Sequence, residues 1–157
     1  FPYTTLFRSG TCVYIVENEM VFSYLMEQVQ GKNVSLLCTS GQPRYAALKL
    51  ISLIVQSGIP IYYSGGLDPD GIGIADRLWQ RFGNRIQFFG MSPEDYRNSL
   101  SKEVFGENGR KKLEHIWHPL LRETAELVRK TGKAGYQENT LKELSEKLVG
   151  CDQNQNL

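Results

Sequence analysis

Residues 11–16, TCVYIV, form an unbroken apolar, β-branched run, so a strand made from them needs cover on both faces. Such a run without alternation is the mark of a strand inside a covered sheet, and it reads as the first strand of the fold. The chain that follows supplies that cover. Between residues 19 and 30, Val21, Phe22, Leu25, Met26 and Val29 recur at helical spacing, with Gly31 where a C-cap belongs. Residues 34–38 read as a second strand, and Thr39, Ser40 and Gly41 lead into a helix from Pro43 to Gln56, capped near Gly58. Residues 59–63 read as a third strand, 65–71 as a tight acidic glycine-rich loop, 72–82 as a helix ending at Gly83, and 86–89 as a fourth strand.

Strands alternating with helices over short loops imply right-handed crossovers, hence an α/β fold with a mainly parallel four-stranded sheet and helices on both faces. This core is expected over residues 10–90. After Gly90 no further strand is expected, and residues 91–150 read as a C-terminal helical segment packing on the core. Its helices are expected at 93–100, 111–117, 119–130 and 140–149, with joints at 106–109 and 132–135. The polar stretch 151–157, CDQNQNL, is expected to be a disordered tail.

Composition narrows the function classes. Eighteen Lys and Arg against 17 Asp and Glu give a net charge of +1, so nucleic-acid binding requires a local patch rather than a global field. No apolar run approaches the roughly 20 residues that span a bilayer, which argues against a membrane protein. Cys12, Cys38 and Cys151 form no CxxC pair, a pattern expected of reduced thiols in the cytoplasm rather than of a disulfide or zinc framework. FPYTTLFRS, residues 1–9, resembles one reading frame of a sequencing adapter and is expected to be non-native. A fragment of a longer protein is therefore expected.

Sites of parallel sheets lie at strand C-terminal ends. Glu17 follows the first strand, and Asp68 and Asp70, in SGGLDPDG, follow the third, so three carboxylates are expected on one edge. Converging oxygen ligands with room for water and phosphate suit Mg²⁺, and Gly65, Gly66 and Gly71 allow a tight turn and close approach of a phosphate. Asp-Pro-Asp-Gly is equally an ordinary solvated turn. Ser40 and Gly41, expected to begin the second helix, read as a phosphate site or a plain helix cap, with Arg44 as a further phosphate contact. The run Arg110, Lys111 and Lys112 reads as DNA contact or a solvated helix face. His115 and His118 flank Trp117, but Pro119 breaks the helix there, so no shared ligating face is expected.

The stretches VYIVENEMVFSYL, LLCTSGQPRYAALKLI, IYYSGGLDPDGIGIADRLWQR and AGYQENTLKEL together resemble the Toprim-like C-terminal domain of the JetD subunit of Wadjet plasmid-defence systems, which is related to the Toprim domain of topoisomerases and primases. The resemblance covers residues 10–150 and implies a metal-dependent DNA-cleaving nuclease domain using Mg²⁺ or Mn²⁺. Its implied partners are double-stranded plasmid DNA and the SMC-like, kleisin and other Wadjet subunits. It implies a metal-binding or general acid–base role for Glu17 and metal ligation by Asp68. Asp70 and Glu138 are implied as further acidic positions, although Glu138 is also explained as a charge at a helix N-terminus. Gly66 stands where the family pattern has the first Asp of Asp-x-Asp, so one carboxylate is missing. Two alternatives stay open: a catalytically degenerate Toprim-like module that binds DNA or partner subunits, and an α/β domain binding a small phosphorylated molecule.

Overall fold

The computed structural model describes residues 5–6, 12–32 and 34–153, with side chains from 12 to 32 and 34 to 148. Its main sheet has the order β1-β3-β2-β4-β5, built from β1 (Thr5–Leu6), β2 (Val13–Val16), β3 (Ser35–Cys38), β4 (Ile61–Ser64) and β5 (Ile86–Phe88). Strands β3, β2, β4 and β5 are parallel, in register Ile15 with Leu37 and Tyr63. This is the expected four-stranded parallel sheet, compatible with a Toprim-like fold. The addition is β1, which pairs antiparallel with β3 through Thr5–Leu37 and Leu6–Leu36. Two of the nine residues expected to be foreign thus join the sheet, by backbone pairing that any extended segment offers an open strand edge. Residues 1–4 and 7–9 lie outside the described residues.

Period-two alternation divides the apolar runs between two cores. Val13, Ile15, Leu37, Ile61 and Tyr63 face one side, under α2 (Tyr45–Gln56) and α3 (Pro69–Phe82). Tyr14, Val16, Leu36 and Cys38 face the other, under α1 (Glu19–Gln28) and α7 (Leu141–Gln153), whose Leu144 and Leu148 are buried there. Helix α7 runs through Gln153, into the segment expected to be a disordered tail, and 154–157 lie outside the described residues.

Beyond Gly90 the chain departs from expectation. A second sheet pairs β6 (Leu100–Val104) with β7 (Lys133–Gly135), where only helices and a joint were expected. Most of these eight strand residues face solvent, so the ladder is held by backbone bonds and leaves no apolar alternation to read. The helices of this region are α4 (Pro93–Ser99), α5 (Glu107–Lys112) and α6 (Pro119–Thr131). Helix α5 replaces the one expected at 111–117: Gly106 is its N-cap and its final turn is the basic run. Helix α6 ends on a left-handed Gly132. The buried Asp76 carboxylate of α3 accepts the N–H groups of Trp117 (3.0 Å) and His118 (2.8 Å), docking the start of α6.

Candidate functional site

The chain leaves β2 for β3 on one side and continues to β4 on the other, so the switch point of the sheet lies between the C-terminal ends of β2 and β4. Glu17 is the first residue past β2 at that point. Its N–H donates to Ser64 O at 3.1 Å, while its carbonyl accepts from Gly41 N–H at 3.0 Å and from Cys38 Sγ at 3.6 Å. Tied to both neighbouring strands, its backbone fixes where the side chain begins. Glu17 Oε2 then accepts the Gly66 N–H at 3.0 Å.

The loop after β4 is glycine-rich for steric reasons. A Cβ at Gly65 would lie 2.7 Å from Glu17 Oε2, and one at Gly71 only 2.2 Å from Gly66 O. The segment expected as a loop to Gly71 is already helix from Pro69, because the Asp68 side chain caps α3 by accepting the N–H groups of Asp70 (2.8 Å) and Gly71 (2.9 Å). Gly66 does not take a left-handed φ. A Cβ there would point at Asp68 Oδ2 (3.0 Å) with Glu17 Oε2 at 3.9 Å, so a side chain at this position would enter between the two carboxylates. Asp70 turns away from this point and pairs with Lys112 of α5 at 2.6 Å.

The C-terminal segment closes the other side. Leu67 exchanges both backbone hydrogen bonds with Gly135, each 2.9 Å, which brings residues 136–138 over the cleft. Glu138 accepts from Asn18 Nδ2 at 2.6 Å, and buried Gln137 donates to Ser64 Oγ at 2.7 Å. Tyr136 bonds Glu103 of β6, which pushes its phenol up to about 12.

The resulting open cleft encloses about 490 Å³ and, among the described residues, is lined by four carboxylates, Glu17, Glu19, Asp68 and Glu138, and by no lysine or arginine. Burial pushes the Glu17 carboxyl up; the Gly66 N–H opposes this, and the charges of Asp68, Asp70 and Glu138 add to the rise. Among the described residues no three His, Cys, Asp or Glu side chains stand close enough to form a protein cage for a metal ion.

Of the ten residues singled out from sequence, Glu17, Asp68, Glu138, Ser40, Gly41 and Gly66 meet at this cleft. Asp70, Arg44, Gly65 and Gly71 do not line it. Ser40 and Gly41 do not begin a helix as expected: they form a left-handed bend, φ 52° and 84°, four residues before α2. There the Gly41 N–H is spent on Glu17, and Ser40 Oγ donates to Glu19 at 2.7 Å. Arg44 is the N-cap residue of α2 and faces an adjoining hollow with Cys38 and Thr39. Sequence reasoning passed over Asn18, Tyr136 and Gln137. Asn18 was legible as an Asx cap directly after a strand; the other two arrive through the β6–β7 ladder, which carried no pattern.

The model of one protein family, described as "Protein of unknown function C-terminus (DUF2399)", matches residues 3–148. No curated protein matches the chain.

Proposed function

The chain belongs to the DUF2399 family, and on that premise we propose that the cleft at the β2–β4 switch point is the site of a divalent-cation-dependent nuclease acting on DNA. The observation that carries the reading is the convergence of Glu17 and Asp68, from two strand ends 51 residues apart by subtraction of their numbers, on the single point beside Gly66. A phosphodiester cannot approach four carboxylates unless positive charge intervenes. Mg²⁺ and Mn²⁺ meet that need with one or two carboxylates, several waters and the phosphate itself, which suits a cleft lacking a three-carboxylate cage. A cation bound there supplies charge neutralisation and an acidified water.

The chain's own groups divide the remaining work. Asp68 has committed Oδ1 to the helix cap and presents Oδ2 toward Gly66. Glu17, whose carboxyl is pushed up by burial despite the opposing Gly66 N–H, is suited to hold or pass a proton at the cleft. Asn18 holds Glu138 at the rim. The resemblance to the Wadjet nuclease domain supports DNA as the polymer and SMC-like, kleisin and other Wadjet subunits as partners, with the basic turn of α5 beside Asp70 available to backbone phosphates.

Two features favour a second reading. Gly66 and the Asp70–Lys112 pair leave the loop short of carboxylates, as a catalytically degenerate module that only binds DNA or partner subunits would be. The two part on one experiment: circular plasmid DNA with Mn²⁺, using the chain and its Glu17→Gln variant. Cation-dependent nicking lost in the variant supports the nuclease. Salt-sensitive DNA binding without nicking, unchanged by Glu17→Gln, supports the module.

A further inference from the structure

Beneath Glu17 lies a polar floor that the reading above leaves unused. Tyr63, on β4, is wholly buried, and its phenol lies close enough to Thr39 and to Glu17 for both to act on it. Neither Tyr63 Oη nor Thr39 Oγ1, both buried, completes a hydrogen bond. The location is marked by Gly65: a Cβ there would stand 2.7 Å from Glu17 Oε2 and 3.3 Å from Tyr63 Oη, so carboxylate and phenol both border the space that this glycine leaves open. A phenol left without a partner in a core is costly, and such groups in native proteins generally have a reason. Glu17 is a matching case, since among the described residues its side chain accepts one hydrogen bond, from Gly66 N–H.

We propose that Tyr63 is a positioning residue for Glu17, its hydroxyl donating to the ionised carboxylate from below. Gly66 N–H and Tyr63 O–H then both serve Oε2 and leave Oε1 as the oxygen turned to the cleft. Thr39, which both donates and accepts, takes the remaining lone pair of the phenol. Sequence alone assigns Tyr63 to packing, as an aromatic residue in a strand; only its unpartnered hydroxyl separates it from Tyr62, which faces the other core. The inference rests on the reading of Glu17 as the working carboxylate, but the contact itself is measurable without any cation.

The test uses the full chain in proton NMR at neutral pH, where a buried phenol proton held by a carboxylate gives a slowly exchanging, downfield hydroxyl signal. The expected result is one such signal, absent in Tyr63→Phe and in Glu17→Gln and retained in Thr39→Val. A signal that survives Glu17→Gln, one lost only in Thr39→Val, or no signal in the unaltered chain overturns the proposal. A Mn²⁺ titration followed by electron paramagnetic resonance then separates the two readings. Tyr63→Phe is expected to weaken binding about tenfold, as loss of a group behind a ligand does. If Glu17→Gln leaves Mn²⁺ binding unaltered, the cation reading fails while the hydroxyl signal still judges the contact.

Discussion

Gly66 and Glu17, 49 residues apart in sequence, are joined by a 3.0 Å hydrogen bond from the backbone of one to the carboxylate of the other. That bond ties the loop after β4 to the carboxylate at the end of β2, and a side chain at 66 would stand between Glu17 and Asp68. Position 66 is therefore the most informative place to intervene.

Gly66→Asp is expected to fold. Its backbone is not left-handed, and the contact a Cβ meets at 3.0 Å is the tip of the Asp68 side chain, which can rotate. The added carboxylate crowds Glu17 and Asp68, so the variant should melt below the parent in chelator and above it in saturating Mn²⁺. Mn²⁺ affinity should rise tenfold or more by calorimetry. Equal affinities would mean that the side chain at 66 does not reach the cation.

Two glycines of α3 behave oppositely. Gly71→Ala drives a Cβ to 2.2 Å from the Gly66 carbonyl oxygen, a backbone clash with no flexible atom to yield. A loss of about 1–3 kcal/mol or more in urea unfolding is expected. Gly73→Ala meets only the end of Arg77 at 3.1 Å and should gain about 0.5–1 kcal/mol from helix propensity. Similar effects at both sites would contradict the close packing of α3 on the loop.

How much of this was legible beforehand follows from where the physics leaves marks. The strands β2, β3, β4 and β5 and the position of Glu17 were legible because double-faced burial forces continuous apolar runs and a parallel sheet places its site at strand ends. The start of α3 was misread by three residues: the glycines looked like turn chemistry, whereas Asp68 spends its carboxylate on the cap. Asp70 was read as a ligand because sequence distance cannot show Lys112, 42 residues away, reaching it. β6 and β7 stayed hidden because exposed backbone pairing imposes no demand on side chains, and Tyr136 and Gln137 stayed hidden with them.

Glu17→Gln should alter stability in a pH-dependent way. The folded carboxyl sits above its ordinary value, so its protonated form is favoured by folding. That contribution is complete below the unfolded value and vanishes as pH rises through the folded one. Ionised Glu17 is thus a liability at pH 7, where the glutamine variant should melt higher, by about 2–4 °C for each kcal/mol relieved. At pH 4 the two should coincide, as scanning calorimetry at both values would show. A gain of the same size at pH 4 would refute the electrostatic cause.

Asp76→Ala should destabilise far from the cleft. It orphans the N–H groups of Trp117 and His118 and releases Gln80, held at 2.7 Å. About 1–3 kcal/mol for each orphaned buried group is expected, with local hydrogen exchange rising first in α6. Unchanged exchange there would show that α6 is held by Leu121, Ala125 and Val128 alone.

The reciprocal hydrogen bonds between Leu67 and Gly135 give the cleft a lever. Residue 67 lies between Gly66 and Asp68, and residue 135 ends a strand whose partner, β6, stands mostly in solvent. A displacement of β7 is passed through this one backbone pair to the segment that spaces the site's oxygens, while the Leu67 side chain stays anchored in the core under α2 and α3.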